Sequence, residues 1–234
     1  MKKHIPNLFT CGNLTCGCIG IDLCFQGNLT MAAYMMLFAG IFDFFDGFVA
    51  RLLKVSSPMG KELDSLADMV TFGVLPGFIM MKFLYNGPMD NPLAYAAYVA
   101  LLIPVFSALR LAKFNIDTRQ SEQFIGVPTP ANAFLIGFIP LMAAEFPQYA
   151  HLLQQEWLLI SIIVVMSLLL VAELPMLSLK FKSFAFASNM WRYLLILGAV
   201  GLVALLGFAA IPLVIFYYII LSVTYNILGK GPTN

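Results

Sequence analysis

Charge is what this chain has least of. Its 234 residues include 13 Lys and Arg and 12 Asp and Glu, so charged side chains are only 11%, against about 25% in a soluble domain. So few charges cannot cover the surface of a water-soluble globule. A net charge of +1 also excludes a nucleic-acid binder working through a basic surface. Histidine occurs twice, so no cluster of imidazoles exists to hold zinc. Four cysteines, Cys11, Cys16, Cys18 and Cys24, fall in one short apolar stretch. Cys16 and Cys18 point about 200° apart on a helix, which suits neither a disulfide nor a tetrahedral metal site. They read as small apolar packing residues.

What is present is apolar: 61% of residues are hydrophobic and Phe alone occurs 21 times, with a mean hydropathy of +0.88. That composition excludes a disordered chain and describes an integral membrane protein. A spanning helix needs about 20 mostly apolar residues. By that measure helices are expected at about 7–26, 29–53, 58–86, 92–115, 129–145, 156–178, 189–208 and 212–228. The uncharged run from Leu194 to Tyr225 has 32 residues. As one helix it would be about 48 Å long, while the hydrocarbon core is about 30 Å thick. Gly207-Phe-Ala-Ala-Ile-Pro212 therefore predicts a hairpin of two spans. The first span holds Asn7, Asn13 and Asp22 without a clear small-residue cleavage site, so it is expected to stay as a helix rather than leave as a signal peptide.

Eight spans put both termini on one side. Lys2, Lys3, Arg51, Lys54, Lys61, Arg110, Lys113, Arg119, Lys180, Lys182, Arg192 and Lys230 all fall on that side, with Lys82 the exception. The opposite connections carry Asp22, Asp90, Glu145, His151 and Glu156. The positive-inside rule makes the basic side cytoplasmic. The expected fold is thus an all-α bundle of about eight transmembrane helices, multi-pass in the inner cell membrane. It forms a single domain over 1–234, with a core of about 5–178 and a C-terminal hairpin of about 189–228. Gly12, Cys16 and Gly20, at four-residue spacing, predict a helix-packing face, either within the chain or between two copies in a homodimer.

One stretch breaks the hydropathy pattern: Asp43-Phe-Phe-Asp46-Gly47-Phe-Val-Ala50-Arg51, then Gly60-Lys-Glu-Leu-Asp64-Ser-Leu-Ala-Asp68. Four Asp facing lipid would cost about 10–14 kcal/mol on the insertion scale, so they must face protein, water or a cation. Asp43 and Asp46 are spaced i, i+3 and Asp64 and Asp68 i, i+4. The short Leu53–Pro58 connection makes the two helices antiparallel neighbours, so the acidic stripes meet just inside the cytoplasmic face. Carboxylates packed together need a counter-charge, and an all-oxygen set suits Mg²⁺, Mn²⁺ or Ca²⁺. Four Asp suffice for two divalent ions sharing a carboxylate, an arrangement that clamps a phosphoryl group. Gly47, Ala50 and Gly60 leave room either for close helix packing or for a ligand, and Arg51 and Lys54 supply positive charge for phosphate. An ion pathway through the cluster stays open as an alternative; a transporter of that kind would show paired broken helices in two halves, and the sequence has no such repeat.

The pattern DxxDGxxAR, eight residues, GxxxDxxxD resembles the signature of the CDP-alcohol phosphotransferase family, and every fixed position is present: Asp43, Asp46, Gly47, Ala50, Arg51, Gly60, Asp64 and Asp68. The resemblance implies transfer of a substituted phosphate from a CDP-linked donor to an alcohol, with release of CMP. It implies that the four Asp hold a binuclear divalent metal site, with Asp68 also the base, and that Gly47, Ala50, Arg51 and Gly60 wall the nucleotide and diphosphate.

Three further stretches resemble the bacterial branch of that family whose acceptor is L-serine and whose donor is CDP-diacylglycerol: Ile5–Thr10 with Gly12-Asn13, Arg110–Asn115, and Phe124–Ala131. Lys113 stands where that branch usually has Arg, and Val127 where it usually has Leu. Serine is a zwitterion, so its site needs a cation or backbone N–H groups for the carboxylate and an acceptor for the ammonium. Arg110 and Lys113, three apart, are candidates for the carboxylate, although topology alone also calls for bases here. Gly126, Pro128 and Thr129 read as a rigid turn opening a helix whose N-terminus suits an anion, or as a plain loop. Asn7 and Thr10 are candidates for nucleotide contact or for interhelical hydrogen bonds. Another acceptor, glycerol 3-phosphate or inositol, remains an alternative; a phosphate-bearing one would need more clustered Arg and Lys than the sequence holds.

Overall fold

The computed structural model describes residues 4–84, 92–117, 124–178 and 186–228. Lys2, Lys3, Asp90, Arg119, Lys180, Lys182 and Lys230, used above for topology, lie outside the described residues. Helix α1 spans Ile5–Phe25 with Pro6 in its first turn, where a missing N–H costs nothing. Helix α2 spans Leu29–Leu53 and is capped by Asn28, whose side chain accepts from Met31 N. It ends at Lys54, held at φ +52°: Val55 N donates back to Ala50 O and Lys54 N to Arg51 O, the wrapping bonds of a left-handed C-terminal stop.

Helix α3 covers Pro58–Leu84. Ser57 caps it through Gly60 N at 3.0 Å, with Pro58 at the first position, as a Ser-Pro start demands. A π-helical turn, Met69–Val74, interrupts it directly after Asp68. Helix α4 (Leu102–Ile116) is entered through a 3₁₀ segment, Pro92–Leu101. The remaining helices are α5 (Thr129–Gly137), α6 (Ile139–Glu145), α7 (Pro147–Leu153), α8 (Glu156–Val171), α9 (Phe186–Leu206) and α10 (Ile211–Ile227). A two-residue antiparallel bridge pairs β1 (Phe124–Ile125) with β2 (Pro175–Met176), in the register Phe124 to Met176.

The chain is an all-α membrane protein. Among the described residues four helical stretches are long and apolar enough to cross a membrane, or five when the bent pair α7 and α8 counts as one. One of the four, Asn189–Ile227, is folded on itself. Tyr217 Oη donates to Leu194 O at 3.1 Å, although a straight helix would hold those residues about 34 Å apart. The turn is the 3₁₀ segment Gly207–Ala210, with Gly207 at φ +62°. Two expected helices are corrected. The span at 129–145 is two helices, because Pro140 has no N–H for the ladder. The span at 156–178 stops at Val171, because Pro175 disfavours helix in the residue before it and Pro175–Met176 turns to pair with β1.

The core lies away from the acidic stripes. One cluster joins α2, α3 and the α5–α6 region through Met36, Phe72, Leu75, Ile79 and Phe138. A second joins α3, α5, α6 and α8 through Met80, Ile136, Ile139, Leu159 and Ile163. The small-residue face of α1 packs inside the chain: a Cβ at Gly12 would strike Phe42, and one at Gly20 would strike Leu75.

Candidate active site

The last three turns of α2 and the first three of α3 carry the four carboxylates, and α1 lies across both. Asp43, Asp64 and Asp68 each offer an oxygen within 4.8 Å of the others. Asp46 is buried at 7% exposure and accepts from Thr10 Oγ1 at 2.8 Å. Asp68 Oδ1 accepts from Asn13 Nδ2 at 3.1 Å. The same α1 segment is fastened to the π turn, where Thr71 Oγ1 donates to Asn13 O at 3.3 Å. Thr10 and Asn13, one turn apart, therefore aim one carboxylate from each acidic helix.

Among the described residues no lysine or arginine pairs with any of these four Asp, and Asp64 Oδ1 is buried without a hydrogen-bond partner. Gathered carboxylates with an orphaned oxygen and no ion-paired base among the described residues are a donor set that fits hard divalent cations. Of the four Asp expected as ligands, Asp43, Asp64 and Asp68 come together, while Asp46 lies outside that group and accepts from Thr10.

Beside it opens a cavity of about 210 Å³, lined by Asn7, Thr10, Asp46, Gly47, Ala50 and Gly60 among others. Five of the seven residues expected near nucleotide and diphosphate line it. Arg51 and Lys54 do not; Arg51 stands at the rim, its Nη1 3.9 Å from where a Gly47 Cβ would be. Among the described residues no other side chain comes within 4 Å of such a Cβ, so Gly47 faces open space. Gly60 by contrast is tight against Ser57 Oγ and Asn7 Oδ1. Ser57 and Lys61 also line the cavity and had not been singled out; the Ser-Pro cap was a signal for Ser57.

The structure separates the residues considered for serine. Arg110 is buried at 6% exposure, and its Nη1 donates to Thr129 Oγ1 at 2.9 Å. Among the described residues its Nε and Nη2 have no partner. These two nitrogens form one edge of the guanidinium, with parallel N–H bonds that match a carboxylate. Asp68 is close enough to act on Arg110 electrostatically, and Phe114 lies under the guanidinium with 5.8 Å to the ring centroid. Lys113 instead points outward and pairs with Glu173 Oε1 at 2.6 Å. Gly126 has φ +76°, and a Cβ there would collide with the Leu170 carbonyl. Its N–H donates to Leu174 O, and that of Val127 to Leu169 O. Both amides of this turn are thus used in seating it on the end of α8.

A family model described as CDP-alcohol phosphatidyltransferase matches residues 3–171, which takes in the carboxylate helices and ends with α8. The chain is also similar to the CDP-diacylglycerol–serine O-phosphatidyltransferase of Helicobacter pylori, 36% identical over 173 residues, 72% of this chain and 70% of the relative. The enzyme of that name from Bacillus subtilis is 42% identical over 130 residues, 55% of this chain and 70% of the relative. The archaetidylserine synthase of Methanothermobacter thermautotrophicus is 33% identical over 151 residues, covering 61% and 62%.

Proposed function

The chain belongs to the CDP-alcohol phosphatidyltransferase family, and from that premise we propose that it transfers a phosphatidyl group from CDP-diacylglycerol to the hydroxyl of L-serine, giving phosphatidylserine and CMP. The observation that carries serine as acceptor is the buried, unpaired Nε/Nη2 edge of Arg110 beside the Asp cluster. The names of the relatives support it. A phosphate-bearing acceptor would call for a denser set of cations, and Lys113 is already paired with Glu173.

In this reading the acyl chains stay in the bilayer and the cytidine diphosphate enters the cavity along α1 and α2. Asn7 and Thr10 line the nucleotide side, and Gly47 and Ala50 keep the wall open. Asp43, Asp46, Asp64 and Asp68 hold two divalent cations, Mg²⁺ or Mn²⁺ with Ca²⁺ as a further occupant. Once bound, those ions supply charge neutralisation at the diphosphate and at departing CMP. Arg110 orients the serine carboxylate, with Thr129 fixing the guanidinium. Asp68, aimed by Asn13, receives the proton of the serine hydroxyl. A carboxylate is a weak base for an alcohol, so that transfer comes late, as the loose transition state collapses.

The topology proposed with it has eight crossings, both termini and the active site on the cytoplasmic face of the inner membrane. A lipid donor and a soluble acceptor can meet only at such a boundary. The test is an acceptor panel: purified full chain, CDP-diacylglycerol, divalent metal, and CMP release with L-serine, glycerol 3-phosphate or inositol. Serine is expected to be the preferred acceptor; a preference for either of the others would overturn it.

A further inference from the structure

The mechanism above leaves a buried polar group unexplained. Asn132 on α5 is completely buried, at 0% exposure, and among the described residues neither its Oδ1 nor its Nδ2 has a partner. Ser107 on α4 is also at 0%, with an unpaired Oγ. A buried amide unpaired at both ends is rare, because each end gives up water for nothing. Leucine would fill the same volume without that cost.

The placement of these two residues gives them a use. Asn132 follows Thr129 by three residues on α5, and Ser107 precedes Arg110 by three on α4. Residues at that spacing share a helix face, about 5–6 Å apart. The Arg110–Thr129 hydrogen bond ties the two faces together at one level, so Ser107 and Asn132 form the next level on the same faces. Ser107 Cβ also lies against Gly73 in the π turn that follows Asp68. Helix spacing and the Arg110–Thr129 bond thus set the four residues side by side on facing helices, with a two-donor edge at Arg110 and unpaired oxygens at Ser107 and Asn132 among the described residues.

We infer that Asn132, assisted by Ser107, is a specificity-determining residue that accepts hydrogen bonds from the α-ammonium group of the acceptor. The inference rests on the reading of the Arg110 edge as the acceptor's carboxylate site. In an amino acid the ammonium and the carboxylate share one carbon, so oxygens for the first must stand beside donors for the second. Amide and hydroxyl oxygens suit an ammonium, and they keep the patch free of a further negative charge next to the carboxylate cluster. An alcohol with a carboxylate but no amine would engage Arg110 and leave Asn132 unpaired.

The experiment uses the full chain in detergent with CDP-diacylglycerol and divalent metal. CMP release is measured against L-serine and against 3-hydroxypropionate, which lacks the amine, for wild type, Asn132→Leu, Asn132→Asp and Arg110→Ala. Thermal unfolding is recorded alongside. Asn132→Leu should raise the KM for serine about tenfold or more, as expected for a lost charge-assisted contact, with the KM for CDP-diacylglycerol unchanged and Tm equal or higher. The preference for serine over 3-hydroxypropionate should fall by the same factor. Asn132→Asp keeps an acceptor oxygen and should hold the serine KM close to wild type. A serine KM within about twofold of wild type in Asn132→Leu, or an equal loss for both acceptors, overturns the inference. If Arg110→Ala raises the serine KM and Asn132→Leu does not, only the role of Asn132 fails. If wild type releases no CMP with serine, the acceptor reading fails and this inference with it. Should Asn132→Leu not fold, Asn132→Ala makes the same comparison.

Discussion

Asn13 donates through Nδ2 to Asp68 Oδ1 at 3.1 Å, across 55 residues of sequence. The last carboxylate of the acidic motif is therefore oriented from the first helix rather than from its own. Asn13 is itself fully buried, so its amide has no freedom to turn away. Asn13→Ala should lower kcat by roughly 10- to 150-fold, the equivalent of one charge-assisted hydrogen bond, with both KM values nearly unchanged. A variant that loses only substrate affinity would show that Asn13 does not act through Asp68.

Chelation tests the carboxylate cluster. CMP release should stop in EDTA and return with Mg²⁺ or Mn²⁺, because Asp43, Asp64 and Asp68 lie together with no ion-paired base among the described residues. Asp43→Asn and Asp64→Asn should weaken metal affinity, so that added metal recovers part of the rate. Asp68→Asn should lose turnover that no metal concentration restores. Equal metal rescue of all three would remove the separate role of Asp68 as base.

Gly47 separates ligand space from folding. A Cβ there has one neighbour, Arg51 Nη1, at 3.9 Å, so Gly47→Val should leave thermal stability nearly unchanged. The same side chain projects into the cavity and should raise the KM for CDP-diacylglycerol by roughly 5- to 150-fold, the range of an overpacked site. An unaltered KM would place the nucleotide elsewhere.

Arg110 and Lys113 should behave differently despite being three residues apart. Arg110→Ala should raise the serine KM roughly 10- to 150-fold, and Arg110→Lys should recover only part, since an ammonium lacks the fork. Lys113 spends its charge on Glu173 at the surface, where such a pair is worth about 0–1 kcal/mol. Lys113→Ala should therefore leave serine kinetics unchanged. The reverse ranking would move the carboxylate site to the outer end of α4.

Lys54 ends α2 at φ +52°, a conformation that costs a side-chain-bearing residue about 1 kcal/mol or more. Lys54→Gly should stabilise the protein by about that amount, read as a higher Tm. If the KM for CDP-diacylglycerol is unchanged, Lys54 serves the helix stop; if it rises, the ammonium reaches the diphosphate.

The acidic motif was legible in the sequence because its geometry is local. The i, i+3 spacing of Asp43 and Asp46, the i, i+4 spacing of Asp64 and Asp68, and a connection too short for anything but adjacency leave little choice. The hairpin at Gly207 was legible for a similar reason, since a 32-residue uncharged run outgrows the bilayer. The partners that aim the carboxylates were not. Thr10 meets Asp46 across 36 residues, and nothing near Thr10 announces it. Arg110 and Lys113 look alike in a hydropathy reading, yet burial against Thr129 claims one and Glu173 claims the other. Asn132 sits in an apolar run, and only tertiary packing makes its unpaired amide visible. The end of α8 at Val171 was missed because hydropathy continues past it, while Pro175 and the pairing with β1 do not permit helix.

The π turn at Met69–Val74 sets a phase offset within α3. It inserts one residue more than an α turn holds, which rotates everything beyond it by about 100°. On the near side Asp64 and Asp68 face α1 and α2; on the far side Leu75 and Ile79 fill the core and Gly77 rests against Pro104. One continuous α-helix with the same residues could satisfy one half or the other. The segment is therefore sensitive to length before it is sensitive to identity. A one-residue insertion or deletion in α3 outside the π turn would misalign one half, removal of one residue within the turn would restore an α turn with both halves in phase, and an apolar exchange at an outward position would pass unnoticed.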